Sequence, residues 1–252
     1  MLKNNRQMKI LKMINEQAYL RVAEASEILD VSEMTIRRDL LDLEKEEKLI
    51  RVHGGAKKIS PEKESFTELS HSQKKKMNVE EKKYIAEKAA SLIKNDDIVF
   101  IGPGTTTEYI YDYLDLESAK IVTNSISVFN RFKDDRKYEL ILVGGRLRER
   151  TGSFVGYFSR KWVEDIHVDK VFIGANGIKE GRVTTAEEEE GFLQRMILNN
   201  AKEKYVLVDS SKFNVEAFQI VTTVDQLDAL ITDQKLASDC KDYYQNKCKI
   251  IN

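Results

Sequence analysis

Residues Ile98–Ile110 read IVFIGPGTTTEYI. Four apolar residues form a short strand, Gly102-Pro103-Gly104 breaks it, and three threonines open a segment with helical spacing. The same rhythm recurs along the chain. DIVFIG, KIVTN, YELILVGG, DKVFIGA, KYVLVDS, ALITD and KCKII are β-type runs separated by helical patterns between residues 84 and 252. Strands alternating with helices of this length predict an α/β domain with a largely parallel sheet. The opening turn also reads as an anion cradle. Thr105 with Glu108 fits a capping box that starts a helix at Thr105, leaving the N–H groups and hydroxyls of Thr105, Thr106 and Thr107 to meet an anion beside Gly102 and Gly104.

Three more turns follow strands. Asn124 stands just past KIVT, where open α/β sheets bind ligands. Gly144 and Gly145 end another strand and are followed by Arg146, Arg148 and Arg150, of which Arg148 can clamp a phosphate with two parallel hydrogen bonds. Asp209 and Lys212 follow VLV, with Lys212 free to pair a phosphate or Asp209. Thr185 and Glu188 fit a second capping box, and the run Glu187–Glu190 suits a helix start. If the sheet is parallel these turns converge on a polyol-phosphate pocket.

The first 58 residues have a different texture. Met8, Leu11 and Ile14, with Ile10 beside them, predict a helix whose stripe packs inward. A second helix, a break at Asp30-Val31-Ser32 and a third helix come next, with Ser32 as N-cap and Ile36, Leu40 and Leu43 as the buried face of the third. Met34, Arg38 and Lys45 project from nearly the opposite side, flanked by Thr35 and Arg37. Two helices joined by so short a turn are helix-turn-helix organisation, over about residues 20–40. Two alternating runs around His53-Gly54-Gly55 predict a hairpin wing over about residues 48–58, carrying Arg51, His53, Lys57 and Lys58. Between the two parts, residues 59–83 are polar and rich in Lys and Glu, and read as a linker or loosely packed extension whose Lys74-Lys75-Lys76 is a solvated run or a contact to DNA phosphates.

Bulk properties narrow the classes. The 252 residues carry a formal net charge of −1, so any nucleic-acid contact comes from a few placed cations and not from bulk charge. No apolar run is long enough to span a bilayer and no signal peptide is evident, so a cytoplasmic location is expected. Cys240 and Cys248 read as two reduced thiols, and His53, His71 and His167 are too scattered to form a metal cluster. No metal, cofactor or catalytic residue is expected.

VSEMTIRRDLLDLEKEEKLIRVHGGA, residues 31–56, resembles the recognition helix and wing of the deoxyribose-operon regulator (DeoR) family of bacterial transcription factors. The G-T-T, T-N, V-G-G-R and D-S-S-K-F elements of residues 84–252 resemble the effector domain of the same family. That resemblance implies a winged helix-turn-helix that reads double-stranded operator DNA through Ser32, Met34, Thr35, Arg37, Arg38, Arg51 and His53. It also implies a second domain similar in fold to ribose-5-phosphate isomerase, binding a phosphorylated sugar through Gly102, Gly104, Thr105, Thr106, Thr107, Asn124, Gly145, Arg148 and Lys212. IAEKAASLI, GPGTT, SFVG and EKYVLVD look most like the lactose phosphotransferase system repressors of Gram-positive bacteria, whose inducer is tagatose 6-phosphate. One departure is Glu47, where the family usually has a glycine after the recognition helix.

The competing reading is a sugar-phosphate isomerase with an accessory DNA-binding domain. Proton transfer between the first two sugar carbons needs a carboxylate base, a second shuttle and a cation, for which Asp209, Lys212 and one of Glu187–Glu190 are the candidates. Attachment to a helix-turn-helix favours sensing over turnover. An RNA-binding scaffold lacks the expected aromatics and Gly-Arg repeats. Near-zero charge makes one winged module a weak binder, so a homo-oligomer, dimer or tetramer, reading half-sites roughly 34 Å apart is expected.

Overall fold

The computed structural model describes residues 3–17, 19–46, 48–52, 54–57 and 68–252. Two compact units, Met1–Ser65 and Phe66–Asn252, each enclose their own core.

The first unit runs α1 Lys3–Gln17, β1 Tyr19–Arg21, α2 Val22–Leu29, α3 Glu33–Lys45, β2 Ile50–Val52 and β3 Gly55–Lys57. Ile10 and Ile14 of α1, one turn apart, are buried against Leu20, Ile36, Leu40 and Leu43. Met8, expected in that stripe, is 62% exposed, because two residues before Ile10 lies on the far side of a helix. Asp30 takes a left-handed conformation (φ 50°) and ends α2, and Ser32 Oγ then accepts from Thr35 N at 3.3 Å to start α3. Asp39, at the centre of the TIRRDL stretch, is buried and takes Arg6 Nη2 at 3.2 Å, which ties the third helix to the first.

The strands pair antiparallel in the order β1-β3-β2. Gly54 turns the hairpin with φ 80°. A Cβ on Gly55 would stand 2.3 Å from the Leu20 carbonyl oxygen, so only glycine lets β3 approach β1. Gly55→Ala is expected to cost about 2 kcal/mol by forcing these strands apart, read as a lower midpoint in thermal unfolding of the full chain. Glu47, His53 and Lys58 lie outside the described residues.

In the second unit α4 His71–Lys75 and α5 Val79–Ala90 precede β4 Ile98–Ile101 and β5 Ala119–Thr123. There follow α6 Ile126–Phe132, β6 Tyr138–Leu142, β7 Arg146–Arg148, β8 Ser153–Val155, α7 Tyr157–Glu164 and β9 Val168–Gly174. The unit ends with β10 Gly177–Lys179, β11 Arg182–Thr185, α8 Glu188–Asn199, β12 Ala201–Leu207, β13 Gln219–Thr223, β14 Ala229–Ile231, α9 Ser238–Gln245 and β15 Lys249–Ile251. Each β-type run found in the sequence is a strand of one sheet, ordered β15-β14-β12-β9-β4-β5-β6, and every neighbouring pair is parallel. Ile85, Ala86 and Ala89 of α5 and Phe132 of α6 pack one core cluster, and Val163 of α7 with Leu193 and Ile197 of α8 another.

Two small antiparallel sheets, β7-β8 and β10-β11-β13, have no counterpart in the sequence reading. Their strands are mostly three residues long, as in RLR and GIK, too short for alternation to register. The stretch 59–83, expected as a linker, is built into the second unit wherever it is described. Ser70 and Gln73 form a capping box that opens α4, with Gln73 Oε1 accepting Ser70 N at 2.9 Å, and Lys82 is buried within α5.

Candidate functional site

The carboxyl ends of β4, β9 and β12 open onto a pocket of about 870 Å³, counting its mouth. Gly104, Thr105 and Thr106 line it after β4, Ala175 and Asn176 after β9, and Asp209 and Lys212 after β12. Glu190 and Gln194 of α8 face it from the side, and His71, Lys74, Asn78 and Lys82 close it from the segment before β4.

The ammonium groups of Lys74, Lys82 and Lys212 converge here beside the carboxylates of Glu68, Glu190 and Asp209, and Lys74 pairs with Glu68 at 3.1 Å. Lys82 is only 4% exposed; its ammonium donates to the carbonyl oxygens of Met77, at 2.6 Å, and Lys74, and has no carboxylate in ion-pair contact among the described residues. Burial pushes this ammonium below the ordinary lysine range; Asp209 opposes the shift, while Lys212 and Lys74 add to it. Lys74 shifts the same way, again through burial first, opposed by Glu68 and aided by Lys212. Lys212 does not pair with Asp209, which accepts instead from Asn78 Nδ2 at 2.9 Å and Ser211 N at 3.1 Å. Three ammonium groups thus repel one another around one cavity. The N–H groups and hydroxyls of Thr105 and Thr106 have no hydrogen-bond partner among the described residues, although both threonines are buried. The arrangement is complementary to an anion.

The opening turn differs from its expectation. The segment after it is a 3-10 helix, Thr107–Tyr113, with no side-chain cap at Thr106. Thr107 turns inward and its hydroxyl donates to Gly102 O at 2.7 Å, while Gly102 packs on Ile173. Glu108 does not cap Thr105. It is 3% exposed and lies 3.3 Å from His71 Nε2 and 3.3 Å from Lys75 Nζ. Burial pushes its carboxyl up, and His71 and Lys75 outweigh that and hold it below the usual carboxylate range. The second expected box is also absent: Glu187 caps α8 by accepting Glu190 N at 2.8 Å, and the Thr185 hydroxyl donates to Asn176 Oδ1 at 3.0 Å.

Of the nine residues expected to hold an effector, Gly104, Thr105, Thr106 and Lys212 line the pocket. Gly102 and Thr107 shape the turn behind them. Asn124, Gly145 and Arg148 do not line the pocket; β5 and β6 end beside the β7-β8 hairpin, and Arg148 stands behind the pocket wall against Glu68, Thr151 and Glu190. Asn124 Nδ2 donates to Phe154 O at 2.9 Å and pins that hairpin. A Cβ on Gly145 would meet Ser159 Oγ at 2.0 Å, so this glycine serves the approach of α7. Arg148 is spent on two buried carboxylates, with Nη1 3.3 Å from Glu68 Oε1 and 3.5 Å from Glu190 Oε1. Burial pushes the Glu68 carboxyl up, and Arg148 and Lys74 hold it below the usual range. His71, Lys74, Asn78 and Lys82 were missed because a stretch dense in Lys and Glu reads as solvated; the Ser70–Gln73 capping box was the available signal.

On the first unit, Ser32, Met34, Arg37 and Arg38 are exposed on α3 and Thr35 is partly so. Arg37 pairs with Glu33 at 3.1 Å and Arg51 with Glu44 at 3.5 Å, whereas Arg38 has no ion-pair partner among the described residues. His53 lies outside the described residues.

Residues 6–62 match the model of the DeoR-like helix-turn-helix domain, and residues 77–234 match that of the DeoR C terminal sensor domain. The chain belongs to the DeoR family. A lactose phosphotransferase system repressor of Streptococcus mutans is 40% identical over 235 residues, which cover 92% of this chain and 93% of the relative. A repressor of the same name from Staphylococcus epidermidis is 36% identical over 226 residues, 89% of each chain. Among solved structures, a D-ribose-5-phosphate isomerase in complex with phospho-erythronic acid matches 54% of this chain and 55% of its own, with a TM-score of 0.40 and 21% identity. As a DeoR-family member the chain is a DNA-binding transcriptional regulator and not an enzyme. The candidate base and shuttle, Asp209 and Glu190, do line the pocket with Lys212, but both carboxylates are occupied. Glu190 accepts from Ser153 Oγ at 2.6 Å and from Thr151 and Arg148. Among the described residues no helix is long and apolar enough to cross a membrane, and no cluster of His, Cys, Asp and Glu could hold a metal ion.

Proposed function

We propose that this DeoR-family chain represses a sugar-catabolism operon in the cytoplasm and leaves its operator when a phosphorylated sugar such as tagatose 6-phosphate enters the pocket of the second unit. The observation that carries this reading is the convergence of Lys74, Lys82 and Lys212 on the unpaired N–H and hydroxyl groups of Thr105 and Thr106. A phosphate dianion would relieve the mutual repulsion of the ammonium groups and satisfy the threonine donors. Asn176, Gln194, Asp209 and Glu190 line the same cavity and offer acceptors and donors to sugar hydroxyls. Gln194 Oε1 is buried without a partner among the described residues, a polar atom that a hydroxyl would satisfy. The relatives named lactose phosphotransferase system repressors point to lactose genes and to repression.

On DNA, Arg38 is the side chain of α3 best placed to reach a guanine edge, with Ser32, Thr35 and Arg37 at the phosphates and Arg51 on the wing. Arg38→Ala is expected to weaken operator binding roughly 10- to 100-fold in a mobility-shift titration and to leave sugar-phosphate binding unchanged. Unchanged operator affinity would put the reading face elsewhere.

The function is tested by incubating the immobilised full chain with sheared genomic DNA of its source and eluting with tagatose 6-phosphate or tagatose. Discrete fragments retained by the protein and released only by the phosphorylated sugar are expected. Fragments that no phosphorylated sugar releases would overturn the effector assignment.

A further inference from the structure

Three neighbouring elements of the second unit expose large apolar side chains among charged ones. Phe158 and Trp162 stand one turn apart on α7 and are 76% and 42% exposed. Helix α8 lies between α7 and β13. Its first turn meets the start of α7, where Glu189 lies 3.7 Å from a Cβ built on Gly156, and Asn200, just past its end, donates to Val163 O at 2.8 Å. On its other side Gly191 packs on Gln219, and Arg195 Nη2 donates to Ile220 O at 2.6 Å. The stripe between these neighbours carries Phe192 and Met196, four residues apart, and β13 adds Ile220 with Phe218 just before it, 78% exposed.

The five aromatics of this face, Tyr157 included, leave roughly 600 Å² of side chain in water when each is worth about 200 Å² fully open. A lone monomer rarely leaves more than about 300–600 Å² in its largest apolar patch, and a stable interface takes about 800 Å² from each partner, which flanking Ile220, Met196 and Arg195 bring within reach. Aromatic enrichment is also what distinguishes interface cores from ordinary surface. Charge selects among partners. The exposed side of α7 and its end carry Arg160 and Lys161 against Glu164 and Asp165, a balanced set that can face its own copy without repulsion. The free edge of β13 is not an invitation to strand pairing, because Arg195 already occupies the carbonyls of Ile220 and Val221.

We infer that the face formed by α7, α8 and β13 is the surface on which a second copy of this chain docks, two-fold, with Phe158, Trp162, Phe192 and Phe218 at its centre. The regulatory reading supplies the need for a second copy, and the experiment uses neither DNA nor sugar, so either can fail alone. The same helix turns Glu190 and Gln194 to the pocket, which sets the effector and the partner copy on two sides of α8.

Trp162 is the single tryptophan of the chain and reports on this face directly. Sedimentation velocity of the full chain across a concentration series, with emission and iodide quenching of Trp162 read on the same samples, tests the inference. Association accompanied by a blue shift and protection of Trp162 is expected. Phe158→Glu with Phe218→Glu is expected to weaken association at least about 30-fold while the far-ultraviolet circular dichroism stays that of the parent. A chain that stays monomeric, or that associates while Trp162 stays equally open to iodide, would overturn the assignment. So would a folded double variant that associates like the parent.

Discussion

Arg148→Ala is expected to destabilise the second unit by about 3 kcal/mol, measured as a lower urea midpoint at neutral pH. The arginine sits over two carboxylates whose side chains are 8% and 7% exposed, Glu68 and Glu190. Removing it leaves Glu68 with Lys74, and Glu190 with the hydroxyls of Thr151 and Ser153. Neither replacement restores a forked cation, so Arg148→Lys should recover only part of the loss. The effect depends on pH in a defined direction. The folded unit holds Glu68 below the ordinary value near 4.5, so this contribution is complete above that value and is lost as pH falls through the folded one. In the variant burial raises the same carboxyl with less opposition. The gap between parent and variant should therefore narrow as the pH is lowered from about 5 to about 3. A variant of parental stability that had lost only sugar-phosphate binding would return Arg148 to the role of ligand clamp.

Lys82→Met is expected to weaken tagatose 6-phosphate binding about 100-fold, which corresponds to a charged hydrogen bond of about 3 kcal/mol lost from a desolvated site. Methionine preserves the length of the side chain and its packing in α5. The carbonyls of Lys74 and Met77 lose a donor, so a stability cost of about 1–2 kcal/mol accompanies the change in thermal unfolding without ligand. Operator binding is expected to persist, and the sugar phosphate should no longer release the DNA at concentrations that release the parent. Parental affinity for the sugar phosphate in this variant would remove Lys82 from the anion site.

The sheet was legible because each of its strands carries a run of β-branched and aromatic residues long enough to stand out between helical patterns, and parallel strands buried on both faces need such runs. The recognition helix was legible for a related reason, Ser32 capping a helix with an apolar seam at Ile36, Leu40 and Leu43. The pocket was only half legible. Turns after β4 and β12 announced themselves through glycine and hydroxyl residues, but the turns after β5 and β6 carry the same residue types for another purpose. Asn124 and Gly145 hold the β7-β8 hairpin and α7 in place, and no local pattern separates that duty from ligand binding. Lys74 and Lys82 were hidden for the opposite reason. Their neighbourhood is so highly charged that nothing in one dimension marks these ammonium groups as enclosed: Lys74 pairs with Glu68, which meets Arg148 eighty residues away, and Lys82 turns onto the carbonyl oxygens of Lys74 and Met77.

Calorimetric titration of the full chain with tagatose 6-phosphate and, separately, with unphosphorylated tagatose decides whether the second unit recognises the phosphate of a sugar. Saturable binding of the phosphorylated sugar is expected, with the plain sugar at least about 100-fold weaker, since three lysines and the Thr105–Thr106 donors act only on the anion. Equal affinity for the two sugars, or no heat from the phosphorylated one, would contradict phosphate recognition.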